Sequence, residues 1–137
     1  MTRIDFYELK SGRFRPDQLL CQLSLKAHKN QQRVLLLTES EQDSLRLDKA
    51  LWTFDDVNFI PHGINEGSQT LNCINIYHQT QANEPYDILI NTHSKVPEHI
   101  GQFARVIELV HEHNKEVARE HFRYYKDRGY PINHNSV

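Results

Sequence analysis

Arg33-Val34-Leu35-Leu36-Leu37-Thr38-Glu39-Ser40 is the stretch on which the fold turns. Its apolar run is short and bounded by polar residues on both sides. Strands buried on both faces read this way, and they belong to parallel sheets covered by helices front and back. Thr38 or Ser40 can cap a helix that starts immediately afterwards, because a hydroxyl there accepts a hydrogen bond from the first turn. In that helix Leu45, Ala50 and Leu51 are expected to form the inward stripe, with Trp52 closing the end.

Working outward, Ile4-Asp5-Phe6-Tyr7-Glu8-Leu9 alternates in strand formers and predicts a first strand, ended by Ser11-Gly12. Pro16 suits a first helical turn, and Leu19, Leu20, Leu23 and Ala27 recur at helical spacing until Asn30. Downstream, Phe59-Ile60 reads as a strand stopped by Pro61 and Gly63, with loop over 61–72. Ile74 to Tyr77 and Ile88 to Ile90 read as two more strands, and Asn91 to Pro97 as loop. The run with Phe103, Val106, Ile107 and Val110 is too short to assign by period and stays open between helix and strand. Asn114 to Arg128 predicts a helix that stops at Gly129, with Pro131 just beyond. Strands alternating with helices predict one α/β domain over residues 1–137, built on an open, mainly parallel sheet with helices on both faces.

Composition narrows the function classes. The chain has 137 residues, 38% of them hydrophobic, and a formal net charge of −2, which disfavours strong nonspecific binding to nucleic acid. No apolar run approaches the roughly 20 residues of a membrane span, and the start shows no signal-peptide pattern. Cys21 and Cys73 lack CxxC spacing and sit among apolar neighbours, as reduced, buried thiols of the cytosol do. A cytoplasmic protein is expected. Charge is uneven: residues 3–33 are mainly basic and 39–56 mainly acidic, which reads as solvated faces or as docking surfaces of opposite sign.

Searches for chemistry come back negative. Neither GxGxxG nor GxxxxGK[ST] occurs, and the turn after the first strand offers one glycine where a pyrophosphate cradle needs several. The nine histidines are scattered and read as surface residues; His111 and His113 would meet one metal only in extended chain. Cys21 and Cys73 have no sequence-local activating base, and Ser40, Ser44 and Ser94 lie in no elbow motif. Glu108 and Glu112 could share a helical face, a spacing common on solvated helices. No catalytic residue, metal or cofactor is predicted, and the expected work is binding other proteins.

Two segments stand out. With 100° per residue on the last helix, Lys115, Arg119, Phe122 and Lys126 fall on one stripe. Val117, Ala118, His121, Tyr124 and Tyr125 form a second face suited to the sheet, and Glu116, Glu120 and Asp127 a third. An aromatic ring among cations suits an acidic peptide with a hydrophobic end, since ring and alkyl stems shape a shallow pocket and the cations hold carboxylates. If Phe122 instead tucks into the core, the cations are merely solvated. A platform for single-stranded nucleic acid is a third reading, weakened by the acidic chain and the lone ring. The other segment runs through Trp52, Phe54 and Phe59, which either pack in the core or anchor a partner.

Phe6-Tyr7-Glu8-Leu9, Arg46-Leu47-Asp48-Lys49-Ala50-Leu51-Trp52, Phe59-Ile60-Pro61-His62, Ala118-Arg119-Glu120, Tyr125 and Gly129-Tyr130 together resemble the chi subunits of bacterial DNA polymerase III, in order and spacing along nearly the whole chain. The resemblance implies a Rossmann-like fold without a nucleotide-binding loop. It also implies a clamp-loader accessory role: pairing with the psi subunit and gripping the acidic, phenylalanine-ended tail of single-stranded DNA-binding protein. Carried over by position, Val110, Lys115, Arg119 and Phe122 match the tail-binding region, joined by Lys126 on the same stripe, while Trp52 and Phe59 match the region facing psi. Phe122 stands where the family often has tyrosine, and His121 where it often has a basic residue.

Overall fold

The computed structural model describes residues 2–10, 12–54, 62–64, 74–78 and 86–137. Its elements are β1 (Arg3–Glu8), α1 (Pro16–Lys29), β2 (Val34–Leu37), α2 (Glu41–Thr53), β3 (His62–Ile64), β4 (Ile74–Tyr77), β5 (Ile88–Asn91), a 3-10 turn (Ile100–Gln102), β6 (Arg105–Val110), α3 (Lys115–Asp127) and β7 (Ile132–Ser136). Among the described residues the strands make one seven-stranded sheet in the order β3-β4-β2-β5-β6-β1-β7. Every pairing in it is parallel. This is a Rossmann-like open α/β sheet.

Strand alternation sorts the core into two layers. Val34, Leu36, Ile74, Ile76, Ile88, Ile90, Ile107 and Leu109 point to the face covered by α1 and α2, where Leu19, Leu20, Ala27, Leu47 and Leu51 meet them. Ile4, Phe6, Leu35, Leu37, Leu89 and Val106 point to the other face, packed with Tyr125 of α3 and with Ile100 and Phe103. All four apolar residues of β2 are buried, because odd and even positions each have a layer to enter. No helix among the described residues is long and apolar enough to cross a membrane.

Five expectations need correction or completion. Leu45, placed inward by the sequence, is 57% exposed. Ser44 takes the inward position with Leu47 and Leu51, and its hydroxyl, 2.7 Å from that of Thr38, is satisfied inside the protein, so its burial carries no unpaired polar group. The cap is Ser40, whose Oγ accepts from the Asp43 N–H at 3.2 Å. Gly63 does not stop a strand: it lies within β3, paired with Asn75 of β4. The open segment is a strand, β6, and the stretch after Pro131, given no element in the sequence, forms β7 beside β1. Phe59, Ile60, Pro61 and Cys73 lie outside the described residues.

Candidate functional site

Three parallel strands set the floor of a slot. The register puts Glu8 of β1 beside Val110 of β6, and Phe6 of β1 beside His134 of β7. Residues two apart on a strand share a face, so Phe6 and Glu8 continue the α3-side row begun by Ile4. The wall is α3, which contributes Lys115, Ala118, Arg119 and Phe122, one or two turns apart. Together these residues line an open groove of about 280 Å³. Phe122 keeps 41% of its surface exposed, with its ring tilted against buried Phe6 at 5.6 Å between centroids. Four of the sequence-predicted residues, Val110, Lys115, Arg119 and Phe122, thus meet in one place. Lys126, a turn further on, is exposed but does not line the groove. Among the described residues neither Lys115 nor Arg119 forms an ion pair.

A buried polar network fixes the wall to the floor. Asn114 closes the turn before α3: its side chain accepts from the His111 N–H and donates to the Leu109 carbonyl, both at 2.8 Å. Glu108, enclosed in β6, accepts hydrogen bonds from Tyr125 Oη at 2.5 Å and Asn91 Nδ2 at 3.0 Å on one oxygen. Its other oxygen faces His121 Nδ1 at 3.0 Å, while His121 Nε2 meets the Ser94 carbonyl at 2.9 Å. Both ring nitrogens face oxygens that carry no proton, so the geometry suits the doubly protonated imidazolium. Burial pulls the His121 pKa down, but the Glu108 carboxylate, the Ser94 carbonyl and the Glu120 charge together hold it above the usual value. Burial, with the Glu108 charge and hydrogen bond, pushes the Tyr125 hydroxyl far up, so it remains a donor. His121 is not one of the surface histidines: it lies on the sheet-facing side of α3 that helical periodicity assigns to it. It is buried, as is His62, whose Nε2 lies 3.2 Å from Asp48.

The chain as a whole matches a known family. A sequence profile described as DNA polymerase III chi subunit, HolC, matches residues 1–133. The DNA polymerase III subunit chi of Pseudomonas aeruginosa is 34% identical over 137 residues, covering 96% of this chain and 94% of the relative. The Escherichia coli K12 protein of that name is 29% identical over 121 residues, covering 85% and 82%. That of Haemophilus influenzae is 27% identical over 125 residues, covering 88% and 87%. The chain is a member of the DNA polymerase III chi subunit family.

In this chi-family chain the crevice that α/β sheets commonly use for nucleotides is lined by carboxylates with Arg46 among them. Ligands of such sheets sit beyond the strand C-termini, where connections diverge to opposite faces. Here that place lies between β2, which leads into α2, and β5, which leads to the Ile100 turn on the α3 side. Glu39 spans it, accepting from the Ser94 N–H at 2.6 Å and the Ser94 hydroxyl at 2.9 Å. Asp17 and Asp43, both paired with Arg46, and Glu108, paired with His121, line the same crevice, which among the described residues leaves no unpaired cation of α2 there for a phosphate. A larger groove of about 690 Å³ lies between α1 and α2, but its Arg46 is already paired with Asp17 and Asp43.

The second predicted region lies on the opposite face. Trp52 is 58% exposed at the end of α2, edge-on to His62 at 5.2 Å, and Phe54 packs against the α1–α2 core. Cys21 is buried, its thiol pushed up to about 12 by burial and by the Asp17 charge, which makes it a poor nucleophile. Sequence reasoning missed Phe6, Glu8 and His134 as members of the slot. Phe6 and Glu8 carried the signal of alternation on β1; His134 carried none, since it depends on β7.

Proposed function

We propose that this chain is a non-catalytic accessory subunit of the DNA polymerase III holoenzyme, working in the cytoplasm. In this reading it joins the clamp loader, through the psi subunit, to the acidic C-terminal tail of single-stranded DNA-binding protein. The observation that carries the reading is a groove in which two cations of α3, Lys115 and Arg119, flank a half-exposed aromatic ring without ion-pair partners among the described residues. Phe122, Val110 and Phe6 receive the apolar end of the tail, and the cations hold its carboxylates by charge-assisted hydrogen bonds. The exposed Trp52 on the far face supports a separate psi contact, with Phe59 assigned to it from the family pattern. Neither catalysis nor a cofactor enters this reading.

Calorimetric titration with a synthetic tail peptide tests it. Arg119→Ala is expected to weaken binding by about 1–3 kcal/mol, the range for hydrogen bonds to charged groups. An unchanged affinity would remove Arg119 from the site.

A further inference from the structure

Glu8 is out of place in a groove meant for an anion. It lies on the floor between Val110 and His134, within the same walls as Lys115 and Arg119. A carboxylate there would be expected to pair with the α3 cations and quench them. It does not: Glu8 lies within 4 Å of neither cationic group. Its Oε1 instead receives His134 Nε2 at 2.9 Å from β7 and lies 3.6 Å from Lys10 Nζ, two residues beyond the end of β1. The His134 side chain is half exposed and Glu8 only a quarter exposed, so the holder is at the rim and the held group is below it.

We propose that His134 is a positioning residue that restrains Glu8 away from Lys115 and Arg119 and so keeps the slot open to an acidic ligand. Glu8 is an internal competitor: released, its carboxylate sits among the same cations that a peptide carboxylate needs. The inference rests on the reading of the slot as an acidic-tail site and concerns how that site is kept available. The edge strand β7 then has a role beyond completing the sheet, because it delivers the restraint across β1.

The test is a set of titrations of the full chain with one short acidic peptide ending in a free phenylalanine. Glu8→Gln removes the competing charge and is expected to tighten binding about three- to fivefold, the scale of a partly exposed charge pair. His134→Ala is expected to weaken binding by a similar factor in the wild-type background and to have little effect in the Glu8→Gln background, a coupling that a purely local loss of β7 packing would not produce. His134→Gln, whose amide nitrogen reaches the place of the ring Nε2, should restore most of the affinity. Equal weakening by His134→Ala in both backgrounds, or no tightening in Glu8→Gln, would overturn the inference. Arg119→Ala run alongside separates the two levels. If Arg119→Ala weakens binding while the Glu8 and His134 variants do not, the restraint is wrong and the site stands. If Arg119→Ala changes nothing, the site itself is wrong and the restraint falls with it.

Discussion

The inner slot of α3 and the outer surface of α2 are two helix faces built on opposite principles. On α3 an aromatic ring and two cations overhang a floor made by three strands, so the surface is concave and charged. On α2 the exposed apolar residues, Leu45 and Trp52, are seven positions apart and stand on one outward face. α2 packs with α1 on one face of the sheet, and α3 packs on the other. From β3, beneath α2, to β1, beneath the slot, is five strand spacings, about 24 Å. A charged recess selects by carboxylate placement and loses strength with salt; an apolar ridge selects by shape and buried area. In the proposed reading the two faces suit partners of different chemistry and lie far enough apart for both to be held at once.

The sharpest way to break this comparison is to undo the α3 side alone. Glu108→Ala strips the counter-charge from buried His121 and takes an acceptor from Tyr125 and Asn91, and is expected to destabilise the fold by about 3–5 kcal/mol in urea unfolding. A loss under 1 kcal/mol would mean that the network does not anchor the helix. Next in size, Trp52→Ala is expected to weaken psi capture by about 2 kcal/mol or more while leaving tail-peptide affinity unchanged, measured by two separate titrations. Equal losses for both ligands would erase the division between faces. Salt sharpens the contrast further. Raising the ionic strength should weaken tail capture, and this sensitivity should diminish in Arg119→Ala, whereas psi capture at Trp52 should respond less.

The smallest effect concerns pH. Because the folded pKa of His121 is raised, its charge contributes stability that is fully present below the ordinary histidine value and is lost as pH rises through the folded one. The difference in Tm between the wild type and His121→Gln should accordingly shrink on going from mildly acidic to alkaline buffer. A constant difference would mean that the imidazolium is not what binds Glu108.

How much of this could be read from the chain varies with the physics of each element. Val34 to Leu37 announced a central strand because burial on both faces leaves no polar position, and Pro16 and Gly129 punctuated their helices through backbone constraint alone; Gly129 takes φ +79°. β7 was not legible. Ile132-Asn133-His134-Asn135-Ser136 is mostly polar, and it is a strand only because β1 offers a free edge next to the turn at Gly129. With β7 unseen, one of the three strands of the slot floor was unseen too. The α3 stripe was legible because helical periodicity needs no knowledge of neighbours. Leu45 was misplaced because a buried serine can outrank a leucine when a partner such as Thr38 is waiting for it, and that pairing is tertiary. Glu108 did leave a trace: one carboxylate inside Val106-Ile107-Glu108-Leu109-Val110 asks where its partners are, and His121 and Tyr125 answer only once the helix is docked.

Because the two helix faces sit at opposite ends of the row of strands, tension applied between them would run across the sheet rather than along any strand. Such a pull loads the backbone ladders one pair at a time, as a zip opens, instead of straining all their bonds together. Among the described residues the ladders on that path are six residues long between β1 and β6, four at β5–β6, β2–β5 and β2–β4, and three at β3–β4. Counted over the described residues, the narrowest seam lies at the α2 end and the widest beneath the α3 slot, so a pull of this kind is expected to spare the slot and its supporting strands.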